Sequence, residues 1–177
     1  GKTICFAKIA EEAVRRGKRV LILAHREELL QQASDKIMQA SGLTTATEKA
    51  EQSCIGKWDR IIVGSVQSLC RDSRLSLFNK TYFDTIIIDE AHHALSNSYQ
   101  AILNYFDEAD VLGVTATPDR TDMKNLGQAF DSLAYEYTLR EAISSGYLVK
   151  IQVQTLPLHI DFTNVKMTAG DFQAGDV

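Results

Sequence analysis

Proline and cysteine are scarce in this 177-residue chain, and charge of neither sign dominates it. The three cysteines, Cys5, Cys54 and Cys70, are an odd number at wide spacings with no CxxC pair. That excludes a disulfide framework and a zinc site as organising features, and the thiols are expected to be buried. No apolar run is long enough to span a membrane, and Gly1-Lys2-Thr3 lacks the charged-then-apolar plan of a secretory signal, so an intracellular, cytoplasmic protein is expected. A formal net charge of −4 rules out a global polycationic signature. Any contact with nucleic acid must therefore come from local donors. Internal repeats and low-complexity segments are also lacking.

What is present is an alternation. Four short apolar runs, at residues 20–23, 61–63, 85–88 and 111–114, read as strands. Helical patterns lie among them at residues 4–16, 27–39 and 99–106. Strands that are apolar throughout imply a sheet covered on both faces, and the βαβ order implies that it is mostly parallel. The predicted class is therefore α/β, doubly wound. Gly17 is placed as the C-cap of the first helix, where Arg15, Arg16, Lys18 and Arg19 complement the helix dipole as a solvated end. Pro118 follows the fourth strand and Pro157 opens a weakly patterned tail, which predicts a domain over residues 1–155 and a linker over 156–177.

Two segments carry chemistry. Gly1-Lys2-Thr3, opening a helix, matches the last three residues of the phosphate-binding pattern G-x-x-x-x-G-K-[ST]. In that pattern the lysine meets terminal phosphates, the hydroxyl ligates magnesium, and free amides at the helix start attract the anion. Ile86-Ile87-Ile88-Asp89-Glu90 places two carboxylates at the C-terminal end of a buried strand, where ligand sites of open α/β sheets lie. One carboxylate there can hold a hydrated magnesium, and its neighbour can orient and deprotonate water.

Asp89-Glu90-Ala91-His92 resembles the DEAH form of the Walker B motif of superfamily 2 helicases and translocases. Three further segments resemble the family's motifs in order. Leu23-Ala24-His25-Arg26-Glu27-Glu28-Leu29 is similar to motif Ia, Val63-Gly64-Ser65-Val66-Gln67-Ser68-Leu69 to the glutamine-bearing segment before the DEAH box, and Thr115-Ala116-Thr117-Pro118 to motif III. The His92-His93 pair, the Asp119-Arg120 that follows Pro118, and Leu139-Arg140-Glu141-Ala142-Ile143 ahead of Gly146-Tyr147-Leu148-Val149 are similar to the group related to type III restriction-enzyme helicase subunits.

The resemblance implies a first RecA-like motor domain whose initial strand and glycine-rich loop precede Gly1. It implies ATP and Mg2+ as cofactors, bound by Gly1, Lys2, Thr3 and Asp89, with Thr3 and Asp89 on the metal and Glu90 as catalytic base. His92, Thr115 and Thr117 would couple the phosphate state to domain closure. Arg26, Ser65 and Gln67 are the candidates for nucleic acid, because donors on strand-to-helix loops can hold phosphate and sugar without reading bases. The expected activity is ATP-driven movement on nucleic acid, DNA before RNA, completed by a second RecA-like domain of the same parent chain. The 177 residues alone are expected to be inactive or very slow. A regulatory nucleotide switch without unwinding is the alternative; a small-molecule kinase has no use for the motif Ia and Gln67 segments.

Overall fold

The computed structural model describes residues 2–25, 27–116, 126–154, 167–168 and 171–172. Two compact units divide the chain, Gly1–Ala134 and Tyr135–Val177. The boundary expected between residues 155 and 156 lies outside the described residues.

In the first unit the strands are β1 (Val20–Ala24), β2 (Thr45–Glu48), β3 (Ile61–Ser65), β4 (Thr85–Asp89) and β5 (Asp110–Val114). They form one sheet in the order β2-β3-β1-β4-β5 with every pairing parallel, which is the α/β plan the alternation predicts. The helices are α1 (Lys2–Arg15), α2 (Glu27–Ser41), the short α3 (Val66–Leu69) and α4 (Asp72–Leu75), and α5 (Asn97–Tyr105). Gly17 ends α1 with a left-handed φ of 80°, and Lys18 donates its amide to Ala13 O at 3.0 Å, closing the turn as a glycine C-cap does.

Period-two alternation sorts the strand residues into two cores. Leu21, Leu23, Ile62, Ile86 and Ile88 face a cluster with Leu69, Phe78, Phe83, Tyr99, Ile102 and Phe106. Val20, Ile22, Ile61, Val63 and Ile87 face the other side, against Phe6, Ala7, Ala10, Leu30 and Ile37 of α1 and α2. Each fully buried Ile, Leu or Phe contributes roughly 1.5–3 kcal/mol, so the central strands are fixed from both faces.

Two strands depart from expectation. Thr45-Ala46-Thr47-Glu48 has no apolar run, yet it pairs with β3 as a sheet edge, where half-burial suffices. At the opposite edge β5 is not covered on both faces, and its Val111 is 36% exposed.

Glu48 is fully buried at the end of β2, and donors meet both of its carboxylate oxygens. Arg74 Nε donates to Oε1, while Ser53 Oγ (3.1 Å) and the Cys54 amide (2.7 Å) donate to Oε2. Arg74 also acts indirectly: its Nη2 donates to Gln52 O at 2.8 Å, which fixes the turn that delivers Ser53 and Cys54. Burial, then the hydrogen bond and charge of Glu48, push the Cys54 thiol up to about 12. The expectation of buried thiols holds for Cys54 alone, since Cys5 is exposed on the outer side of α1 and Cys70 is half-buried. Buried and held as the thiol, Cys54 is a poor nucleophile, so an aromatic disulfide reagent is expected to modify exposed Cys5 first and Cys54 only on denaturation. Mass mapping of the labelled cysteines checks this.

In the second unit Thr138 opens helix α6 (Leu139–Ser144) with a capping box. The Thr138 amide donates to Glu141 Oε2 at 2.7 Å and Glu141 N–H donates back to Thr138 Oγ1 at 3.2 Å. Within the segment expected as linker, strands β6 (Met167–Thr168) and β7 (Asp171–Phe172) pair antiparallel.

Candidate nucleotide site

Parallel pairing aligns the C-terminal ends of the strands along one edge of the sheet. Ala24 is level with Ser65, Leu23 with Ile88, and Asp89 with Val114. The sequence candidates thus fall in a row in the order Ser65, Asp89-Glu90, Thr115, with His25 at the end of β1 between Ser65 and Asp89. With strands about 4.8 Å apart, the row runs roughly 14 Å from Ser65 to Thr115.

Lys2 is the first residue of α1, whose opening amides have no acceptor within the helix. Its Nζ donates to Glu90 Oε1 at 2.8 Å, closing an 88-residue separation. Both side chains are about a third exposed (33% and 37%), so the pair is worth roughly 0–1 kcal/mol and yields readily to a stronger partner.

Glu90 has φ 55° and ψ 59°, a left-handed conformation that costs a non-glycine residue about 1–3 kcal/mol. Three contacts hold it there. The Glu90 amide donates to Asp89 Oδ1 at 3.0 Å, the His93 amide donates to Glu90 O at 3.0 Å, and Lys2 holds the carboxylate. The result is an abrupt turn at the end of β4 that lifts the Glu90 carboxylate away from the strand into a one-turn 3-10 helix, Ala91–His93.

His92 Nδ1 lies 3.5 Å from Glu90 Oε2 and 3.5 Å from Thr115 Oγ1, so it bridges the carboxylate turn and the end of β5. Gly113 lets Ala91, at the start of the 3-10 turn, and Phe130 pack close against β5. A Cβ at Gly113 would stand 2.4 Å from Phe130 Cζ and 2.8 Å from Ala91 Cβ, distances that real side chains do not tolerate. Beneath the turn lies Tyr99, buried, with a hydroxyl that has no hydrogen-bond partner among the described residues. Burial first, then the charges of Asp89 and Glu90, raise its pKa to about 12.

Ser65 is the N-cap of α3 but its hydroxyl makes no capping bond, and Gln67 is exposed within α3. Gly1, Arg26 and Thr117 lie outside the described residues, as does the side chain of Thr3. Two residues beside the site are missed by the sequence patterns, His25 and Tyr99. His25 stacks on His93, with ring centroids 5.4 Å apart. The only sequence signal is the position of His25 at a strand end within the motif Ia segment.

The arrangement fits a nucleoside triphosphate with a magnesium ion. A compact cation and free helix-start amides suit terminal phosphates, and the hard carboxylate of Asp89 suits a cation that keeps most of its water.

Residues 1–120 match the family described as type III restriction enzyme, res subunit. The chain belongs to that family. As a res-subunit family member it is 33% identical, over 98% of its length, to a Saccharomyces cerevisiae protein named as an ATP-dependent helicase, IRC3, of which it covers 27%. It is 29% identical over 86% of its length to the type I restriction enzyme EcoAI endonuclease subunit of Escherichia coli, covering 20% of that protein. The chain thus spans about a quarter or less of these relatives. Among solved structures, the Pyrococcus furiosus Hef helicase domain superposes with a TM-score of 0.60 at 26% identity, over 72% of this chain and 31% of that one. The fold of this res-subunit family member is that of RecA-like helicase domains. Among the described residues no helix is long and apolar enough to cross a membrane.

Proposed function

We propose that this chain is the ATP-binding half of a nucleic-acid helicase or translocase, with Lys2, Thr3 and Asp89 holding ATP and Mg2+ and Glu90 acting as the catalytic base. The observation that carries the reading is the convergence of Lys2, at a helix start, with Glu90, beyond a strand end. The named relatives support the same activity.

When bound, Mg2+ neutralises charge on the phosphates and orients them. The residues do the rest. Lys2 leaves Glu90 for the terminal phosphates, because a polyanion attracts the ammonium more strongly than one half-exposed carboxylate does. Glu90 is then free to accept a proton from the attacking water at Oε1 or Oε2. His92, touching both Glu90 and Thr115, transmits the change toward β5. Ser65 and Gln67, with Arg26, supply sequence-independent donors to the sugar-phosphate backbone. Duplex DNA is the first polymer to test, since the family is named for a restriction enzyme.

The function is tested by measuring ATP hydrolysis by the full-length parent with duplex DNA, single-stranded DNA and RNA in separate reactions. Stimulation by nucleic acid supports a motor, whereas ATP binding with no stimulated turnover supports a regulatory switch instead. Lys2→Ala is expected to weaken binding of a non-hydrolysable ATP analogue about tenfold or more, the loss of one charge-assisted contact of roughly 1.5–3 kcal/mol. Equal affinity by calorimetry removes Lys2 from the site.

A further inference from the structure

We infer that a column of three rings, His25, His93 and Tyr99, joins the turn after β1 to the Glu90 turn, and that His25 and His93 are positioning residues through which bound nucleic acid raises ATP turnover. The inference rests on the motor reading above and adds the path of coupling within it.

The rings are His25 on His93, 5.4 Å apart at 30°, and His93 on Tyr99, 6.5 Å apart at 22°. Both separations lie within the range of interacting aromatic pairs. His92 leans against His93 at 4.1 Å. The two ends differ in kind. Tyr99 is buried in the core as part of α5, whereas His25 is exposed at the end of β1 and directly precedes Arg26 in the motif Ia segment. His93, in the middle, donates its amide to the carbonyl of left-handed Glu90.

That placement gives the column its consequence. Glu90 keeps its unfavourable backbone only while the surrounding contacts over-determine it. One of those contacts is the His93 amide, and the His93 ring lies between buried Tyr99 and the exposed ring of His25. A polymer that fixes the His25 ring therefore orders the His93 ring, and through the His93 amide the carboxylate that activates water. Coupling can travel along packed side chains with a differential contact at each end, and among the described residues the column is such a path between the end of β1 and Glu90. Exposed imidazoles are poor hydrophobic ballast, so core packing does not account for two of them stacked here.

The test uses the full-length parent, with His25→Ala, His93→Ala, the double variant, and His93→Phe. Each is measured for basal turnover, for turnover at saturating nucleic acid, for nucleic-acid affinity and for its thermal midpoint. Each alanine variant is expected to lose about tenfold of the stimulated kcat, within the roughly two- to thirtyfold range for residues on a coupling path. Basal turnover and nucleic-acid affinity should stay within about twofold, because neither ring touches phosphate or water in this scheme. The double variant should lose no more than either single one, and His93→Phe, which can still stack, should keep most of the stimulation. A His93→Phe variant as impaired as His93→Ala overturns the inference. So does full stimulation in both alanine variants of a parent that is itself stimulated, a result that leaves the motor reading standing. A parent with basal turnover but no stimulation overturns the motor reading and this inference with it.

Discussion

Replacing Glu90 by glutamine in the full-length parent is expected to lower nucleic-acid-stimulated ATP hydrolysis by about 10²–10⁴-fold, the usual contribution of a positioned general base. Glutamine keeps the length and the Oε1 acceptor that Lys2 meets at 2.8 Å, so the turn should survive the change. It carries the same backbone penalty as glutamate in the left-handed conformation, which makes it a cleaner probe than alanine or glycine. What it lacks is the capacity to take a proton. ATP affinity should hold or rise slightly, because Lys2 is no longer drawn to a negative partner. Single-turnover kinetics together with analogue binding separate the two effects. Turnover of the Glu90→Gln enzyme at the parental rate ends the assignment of Glu90 as base.

The second large effect is on stability. Arg74→Met removes the cation that faces the fully buried Glu48, leaving its carboxylate with neutral donors, Ser53 Oγ and the amide and thiol of Cys54. Breaking a buried pair from one side typically costs about 3–5 kcal/mol, because an uncompensated charge remains in the interior. A loss near 3 kcal/mol is expected, together with a fall of roughly 10 °C in the unfolding midpoint. Adding Glu48→Gln to Arg74→Met should restore part of the loss, since the double variant buries no charge. Far-UV circular dichroism is the suitable probe, as the only tryptophan, Trp58, is 98% exposed and reports little of the core. If Arg74→Met unfolds at the parental midpoint, the ion pair does not hold β2 in the sheet.

The sequence shows some of these features and conceals others for identifiable reasons. Strands β1, β3 and β4 are legible because burial on both faces demands continuous Val, Leu and Ile, and Asp89-Glu90 then has to sit at a strand end. Strand β2 is not, because an edge strand whose buried Glu48 is paired with Arg74 can be built from Thr-Ala-Thr-Glu. The left-handed backbone of Glu90 is invisible for a different reason: no glycine marks it, and the contacts that enforce it come from Asp89, Lys2 and His93. The ring column depends on β1 and β4 being neighbours, a fact of sheet order that lies beyond any single segment. Lys2 and Glu90 each stand out in a short pattern, but their contact with each other does not.

The strand order has a bearing on how the chain acquires its structure. Of the described strands the first made is the central one, and Val20 must find both Ile61 and Thr85, with no hairpin available to bring either near. Such non-local pairing places this domain among slow folders for its size. Until β3 and β4 have been synthesised, Val20-Leu21-Ile22-Leu23-Ala24 is an uncharged, β-prone segment without its partners. That is the interval in which a nascent chain is most exposed to aggregation, and the charged run Arg15-Arg16-Gly17-Lys18-Arg19 immediately before it acts as a gatekeeper there.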